Sequence, residues 1–188
     1  MSIAMTDGPR RHRITVDEYY RIAESSYAPD ARLELIEGEI VEMPPIGALH
    51  AGTVDQLVSL LIHAVGERAT VRCQGPLLLD TFSEPQPDLL LLAPREDFYK
   101  YQRPTAADTL LAIEVSQTTL RYDRNRKMPL YARHGIPEMW IVDTEGRQLH
   151  VFRALANGAY GEVLCLDRPG VTSIGALPGM TIDPAALF

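Results

Sequence analysis

Two apolar runs with almost no polar alternation constrain this chain most: PDLLLLA at 87–93 and LLAIEVS at 110–116. A strand with one wet face alternates apolar and polar side chains. A strand covered on both faces reads instead as a continuous apolar run. The two runs therefore predict neighbouring strands of a central sheet with layers packed on both sides. Each run nevertheless carries a carboxylate. Asp88 opens the first, and Glu114 lies inside the second between Ile113 and Val115. An unpaired carboxylate in such surroundings is strongly unfavourable. Lys127 follows in a short basic stretch. Two such acids on adjacent strands with a lysine nearby are best relieved by a divalent cation between them. The alternatives are an ordinary strand-end hydrogen bond for Asp88 and a buried ion pair with an arginine for Glu114.

The chain has 188 residues, enough for one domain with a sizeable core. Its 46% apolar and 23% charged content is that of a globular protein. Residues 1–13, with Gly8-Pro9 and basic Arg10 to Arg13, read as a flexible lead-in without the apolar core of a secretory signal, and residues 14–188 as a single domain. No apolar run approaches the ~18 residues a membrane span needs. Cys73 and Cys165 lack metal-ligand spacing and are expected as reduced, buried thiols in a cytoplasmic protein. The net charge of -7 disfavours tight, sequence-blind binding to a polyanion, but a local basic groove is compatible with it. Arg121, Arg124, Arg126, Lys127 and Arg133 form the one pronounced basic cluster, shortly after Glu114.

Thr15, Asp17 and Glu18 mark a helix start for ITVDEYYRIAE, and RLELIEGEIVEMPP reads as a hairpin turning at Glu37-Gly38. Across 48–66, Val54, Leu57, Val58, Leu61, Ile62 and Val65 fall on one helical stripe, and His50 projects from the same side. Strands are expected at 70–73 and 76–80 (bulged at Gly75), 88–93, 110–116 and 139–143, the last returning as a hairpin through 148–153. The loop 94–108, with Phe98, Tyr99 and Tyr101, is expected at the surface, and Trp140 in the core. A helix then runs to Gly135. Because proline inside a helix loses a hydrogen bond and clashes with the preceding turn, Pro129 predicts a start no earlier than about residue 125, with Lys127 in the first turn. The Pro- and Gly-rich tail suggests one last strand and a packed terminus. The result is an α/β (α+β) fold with a mixed central sheet flanked by helices and extra hairpins at each end.

This order, with Pro87-Asp88 on one strand and Glu114 on the next, resembles the PD-(D/E)XK nuclease superfamily. It is most similar to the Uma-type branch of restriction-endonuclease-like proteins. The stretches carrying the resemblance are RLELIEGEIVEMPP, PQPDLLLLAPRED and LLAIEVSQTTLRYDRNRKMPLYARHGIPEMWIVDTEGRQLHVFR. The resemblance implies a restriction endonuclease-like core (αβββαβ) and hydrolysis of DNA phosphodiester bonds with Mg²⁺ or Mn²⁺. Asp88, Glu114 and the Val115 carbonyl would be metal ligands. The superfamily pattern sets its lysine two residues after the second acid, where this chain has Ser116; the branch moves it to the next helix, where Lys127 matches. Asp123 would cap that helix or orient the lysine, and His50 would face the site. Pro129 departs from the branch pattern. Glu37 or Glu39 is an outer contributor or an exposed turn residue. By analogy with nucleases of this fold, a homodimer is expected. The alternative is a catalytically silent member acting as a protein-interaction or nucleic-acid-binding module.

Overall fold

The computed structural model describes residues 10–24 and 31–188. Of the lead-in expected over 1–13, residues 1–9 lie outside the described residues, and Arg13 is held against the fold, donating to the Glu37 carbonyl and stacking over Phe82. Helix α1 (Val16–Glu24) opens the fold. Its start is a reciprocal box: Glu18 accepts from the Thr15 backbone N–H and hydroxyl, and its own N–H donates to Thr15 Oγ1. Strands β1 (Arg32–Ile36) and β2 (Glu39–Met43) form the expected hairpin. Gly38 in its turn has φ +86, and a Cβ there would lie 2.7 Å from Arg13 Cβ, so glycine is needed on two counts.

Helix α2 (Ala48–Val65) buries Val54, Leu57, Leu61 and Val65 against the sheet. Together with the following turn, residues 48–68 are long and apolar enough, by length and composition, to cross a membrane. That corrects the expectation that no apolar run is long enough for a span, since the few polar residues of this helix leave its average apolar. In this fold the stripe is one half of a core. Then come β3 (Thr70–Cys73), β4 (Leu89–Leu92) and β5 (Thr109–Ser116), followed by a helical segment spanning 120–133. Strand β6 (Met139–Asp143) and the hairpin β7 (Gln148–Ala156) with β8 (Ala159–Leu166) complete the sheet. Its order is β3-β4-β5-β6-β7-β8. All neighbours are antiparallel except β5 and β6, which are parallel because the helical crossover 120–133 joins them. A small pair, β9 (Thr172–Ser173) with β10 (Thr181–Ile182), follows, and a 3₁₀ turn at Pro184–Leu187 comes after it. The mixed sheet between helical layers is the fold class the sequence implies.

The sheet separates two cores. One face carries Leu89, Leu91, Ile113, Val115, Trp140 and Val142 against α2 and the C-terminal Ile182 and Leu187. The other carries Leu90, Leu92, Ala112 and Ile141 against Tyr131 and Ile136 of the crossover. Trp140 is buried as expected, its Nε1 donating to Glu138 at 2.7 Å.

Several expectations change. The segment 76–80 makes isolated bridges rather than a strand. In the surface loop Phe98 and Tyr101 are exposed, but Tyr99 is buried and donates its hydroxyl to the Ala93 carbonyl. Strand β8 was not expected. It follows a two-residue turn in which Asn157 (φ 51) and Gly158 (φ 72) both adopt the left-handed conformation that suits a tight hairpin. Cys73 and Cys165 are exposed, because each sits on an edge strand of the sheet.

The largest correction concerns Pro129. The crossover begins at α3 (Leu120–Tyr122), passes through a π-helical turn (Asp123–Lys127) and continues as α4 (Met128–Arg133). The Met128 N–H bonds the Asp123 carbonyl five residues back. This wider turn brings the chain into α4 with Pro129 in its first turn, where a missing N–H is tolerated. The helix therefore starts before residue 125, and Lys127 lies in its interior.

Candidate active site

The antiparallel register pairs Leu89 with Ile113. Carried one step further, it sets Asp88 beside Glu114 on the face that holds Leu90 and Ala112. Asp88, Glu114, Val115, Lys127, His50 and Asp123, all singled out in the sequence, line one cavity of about 250 Å³. Glu34, Gln86 and the segments 43–47 and 117–119 complete its walls. The reactive groups lie deep: Asp88 is 5%, Glu114 3% and Lys127 1% exposed.

Each acid is held at two points. Asp88 Oδ2 accepts from the Val115 backbone N–H at 2.8 Å and contacts His50 Nε2 at 3.1 Å. Burial pushes the Asp88 carboxyl up, but the His50 bond and charge and the Val115 N–H outweigh it and hold it below the usual carboxylate range. Glu114 is clamped from the crossover helix, with Lys127 Nζ donating to Oε2 at 3.2 Å and the Tyr131 hydroxyl to Oε1 at 2.6 Å. Burial pushes the Glu114 carboxyl well above its ordinary value, with Asp123, Asp88 and Glu34 adding to the rise against the pull of Lys127.

Lys127 also donates to Glu34 Oε1 at 3.0 Å. Burial disfavours its charge, but Glu114 and Glu34 overcome that and raise its pKa. The lysine is therefore a fixed ammonium, suited to stabilising negative charge and not to accepting a proton. Asp123 neither caps the helix nor bonds the lysine. Its Oδ2 accepts the hydroxyls of Ser116 and Thr119, each at 2.7 Å. Ser116 thus anchors an acid.

Two side chains here were not expected from the sequence. Glu34 is 2% exposed and is the outer acid in the place considered for Glu37 or Glu39. Those two lie at the surface. Glu37 pairs with Arg126 and Arg133, and Glu39 with Arg126, which takes two of the basic cluster out of the site. Tyr131, the second, is fully buried, with its phenol raised by burial and by Glu114. No arginine pairs with Asp88 or Glu114 among the described residues, so the purely arginine-neutralised alternative does not apply.

The cavity offers carboxylate oxygens, the donor type that hard divalent cations take. Glu34, Asp88, Glu114 and Asp123 face one ammonium and one imidazole across the cavity. Glu34 Oε2 and Asp123 Oδ1 are buried without a hydrogen-bond partner. No group of three or more His, Cys, Asp or Glu side chains forms a metal-holding cluster among the described residues. A cation here would therefore rest on few protein ligands and keep waters, as Mg²⁺ does.

A family model described as "Putative restriction endonuclease", Uma2, matches residues 16–185. The chain belongs to the Uma2 family. Membership sets its activity, at the coarse level, with nucleases. The fold is also similar to a crystal structure titled as a putative nuclease belonging to DUF820 from Anabaena variabilis ATCC 29413. The TM-score is 0.69 at 19% identity, over 93% of this chain and 97% of that one. No curated protein gives a significant sequence match. The Uma2 match spans β1, β4, β5 and the crossover, so every residue lining the cavity lies within it.

Proposed function

We propose that the chain is a Mg²⁺- or Mn²⁺-dependent DNA endonuclease of the PD-(D/E)XK type. The observation that carries this reading is the convergence of Asp88, Glu114 and Lys127, from three separate elements, on one acid-rich cavity. Asp88, Glu114 and the Val115 carbonyl would hold the cation. A bound hard cation supplies polarisation of the phosphate and a more acidic water. The chain supplies the rest. His50 and the Val115 N–H keep Asp88 ionised and fixed. Tyr131 and Lys127 orient Glu114. The Lys127 ammonium stabilises charge that develops on the phosphoryl oxygens. We propose a homodimer in the cytoplasm as the working form, on analogy alone.

The test is cleavage of DNA in Mg²⁺ or Mn²⁺. Wild type should nick or cut, and Asp88→Ala and Glu114→Ala should lose activity with folding intact. A second reading, a silent binding module, is favoured by one observation: Lys127 already neutralises Glu114. Absence of cleavage on several DNA forms would move the assignment to that reading.

A further inference from the structure

The cavity's shape and rim bear on the form of its substrate, an inference that rests on the nuclease reading above. Its acids are nearly inaccessible, and its two walls close on each other. A Cβ added to Gly47 would lie 3.4 Å from Gln117 Oε1. The segment 44–49, which lines the cavity through 44–47 and continues outside it, is exposed throughout and apolar at Pro44, Pro45, Ile46 and Leu49. Ile46 is 39% and Leu49 52% exposed. The outside of a stacked duplex is sugar and phosphate and offers such side chains nothing to pack on, whereas an unpaired strand presents base faces.

Charge points the same way. Strong duplex binding requires many neutralised phosphates. On this side Lys127 is buried between two acids, and Arg126 and Arg133 are spent on Glu37 and Glu39. What remains is Arg32 in the cavity wall, which also donates to the Pro44 carbonyl, and the exposed Arg121 and Arg124. A stiff duplex cannot bend one phosphodiester into a narrow slot without deformation, but a flexible strand can. We infer that the site takes an unpaired DNA strand, threaded between 43–47 and 117–119 with its bases against Ile46 and Leu49.

Fluorescence anisotropy with a labelled 20-mer, single-stranded or as a blunt duplex, tests this separately from catalysis. The single strand should bind at least 10-fold more tightly. With about three phosphate contacts, log K against log salt should fall with a slope of roughly -2. Ile46→Ser and Leu49→Ser, at exposed positions, should remove most of the preference with an unchanged melting temperature. Equal or tighter binding of the blunt duplex, or no binding of either, overturns the inference. Single-strand binding without cleavage of any DNA upholds it while removing the nuclease reading.

Discussion

Replacing Lys127 by Met probes the centre of the site, because it removes the only ammonium from between Glu34 and Glu114 and leaves the side-chain volume nearly unchanged. Both carboxylates are almost fully buried, and each loses a bond of about salt-bridge length, 3.0 and 3.2 Å. Breaking a buried pair from one side typically costs ~3–5 kcal/mol, because the remaining charge has no compensation. For a chain of this size that corresponds to a melting-temperature loss on the order of 10 °C. The sign of the pH dependence follows from the acids. Burial raises the folded-state pKa of both Glu34 and Glu114, and without the lysine nothing of that strength opposes it. A group raised in the folded state contributes stability below its unfolded pKa and loses it as pH rises through the folded value. The deficit of Lys127→Met should therefore be small near pH 5 and grow toward pH 8. Urea unfolding followed by the single buried tryptophan, Trp140, measures it at each pH. A deficit below about 0.5 kcal/mol at pH 8, or one that does not change with pH, would refute the view that this lysine compensates two buried charges.

Other outcomes follow from the same geometry. Tyr131→Phe keeps the ring in the core and removes only the hydroxyl on Glu114; it should weaken Mn²⁺ binding ~10–100-fold by calorimetry, as loss of a partner behind a metal ligand does. Glu34 and Glu114 share one ammonium and both have raised pKa values, and cation binding, which favours their ionised forms, should lower those values and release protons where the acids titrate. Calorimetry in buffers of different ionisation enthalpy, repeated across pH, should show proton release on binding, and buffer-independent heats throughout would contradict it. Both thiols should react with a disulfide reagent in the native state, Cys73 the more slowly because burial raises its pKa. Reaction only after denaturant would place them inside the fold.

Much of this architecture is legible in the residues because burial on two faces leaves an unambiguous pattern. The runs around Leu89–Leu92 and Thr109–Ser116 are strands for that reason, and Asp88 and Glu114 stand out against them. Glu34 does not stand out. In RLELI it alternates with leucines as a solvent-facing glutamate would, and it is buried only because the crossover helix brings Lys127 over the hairpin. Tyr131 reads as ordinary core, since an aromatic on a helix says nothing of where its hydroxyl points. Strand β8 sets apolar residues such as Val163 and Cys165 on its exposed positions as well as Leu164 and Leu166 on its half-buried ones, so its sequence shows no alternation, and its clearest mark is the Asn157-Gly158 turn before it. The reading of Pro129 applied a rule that holds for a regular α-helix, and the chain satisfies it by changing helix type.

That change of helix type sets a phase relation within the crossover. Successive residues of an α-helix are rotated by ~100°, so a single extra residue in a turn resets which way everything beyond it faces relative to everything before. At the upstream end of the π-turn, Asp123 accepts the hydroxyls of Thr119 and of Ser116 at the end of β5. At its downstream end Lys127, followed by Tyr131, faces Glu114 two residues earlier on the same strand. One helix thus addresses two consecutive inward positions of one strand with opposite kinds of group, hydroxyl-bound acid at the first and donors at the second. Deleting Asn125 would restore regular phase and keep every ligand in the sequence, yet it would turn the two halves out of step.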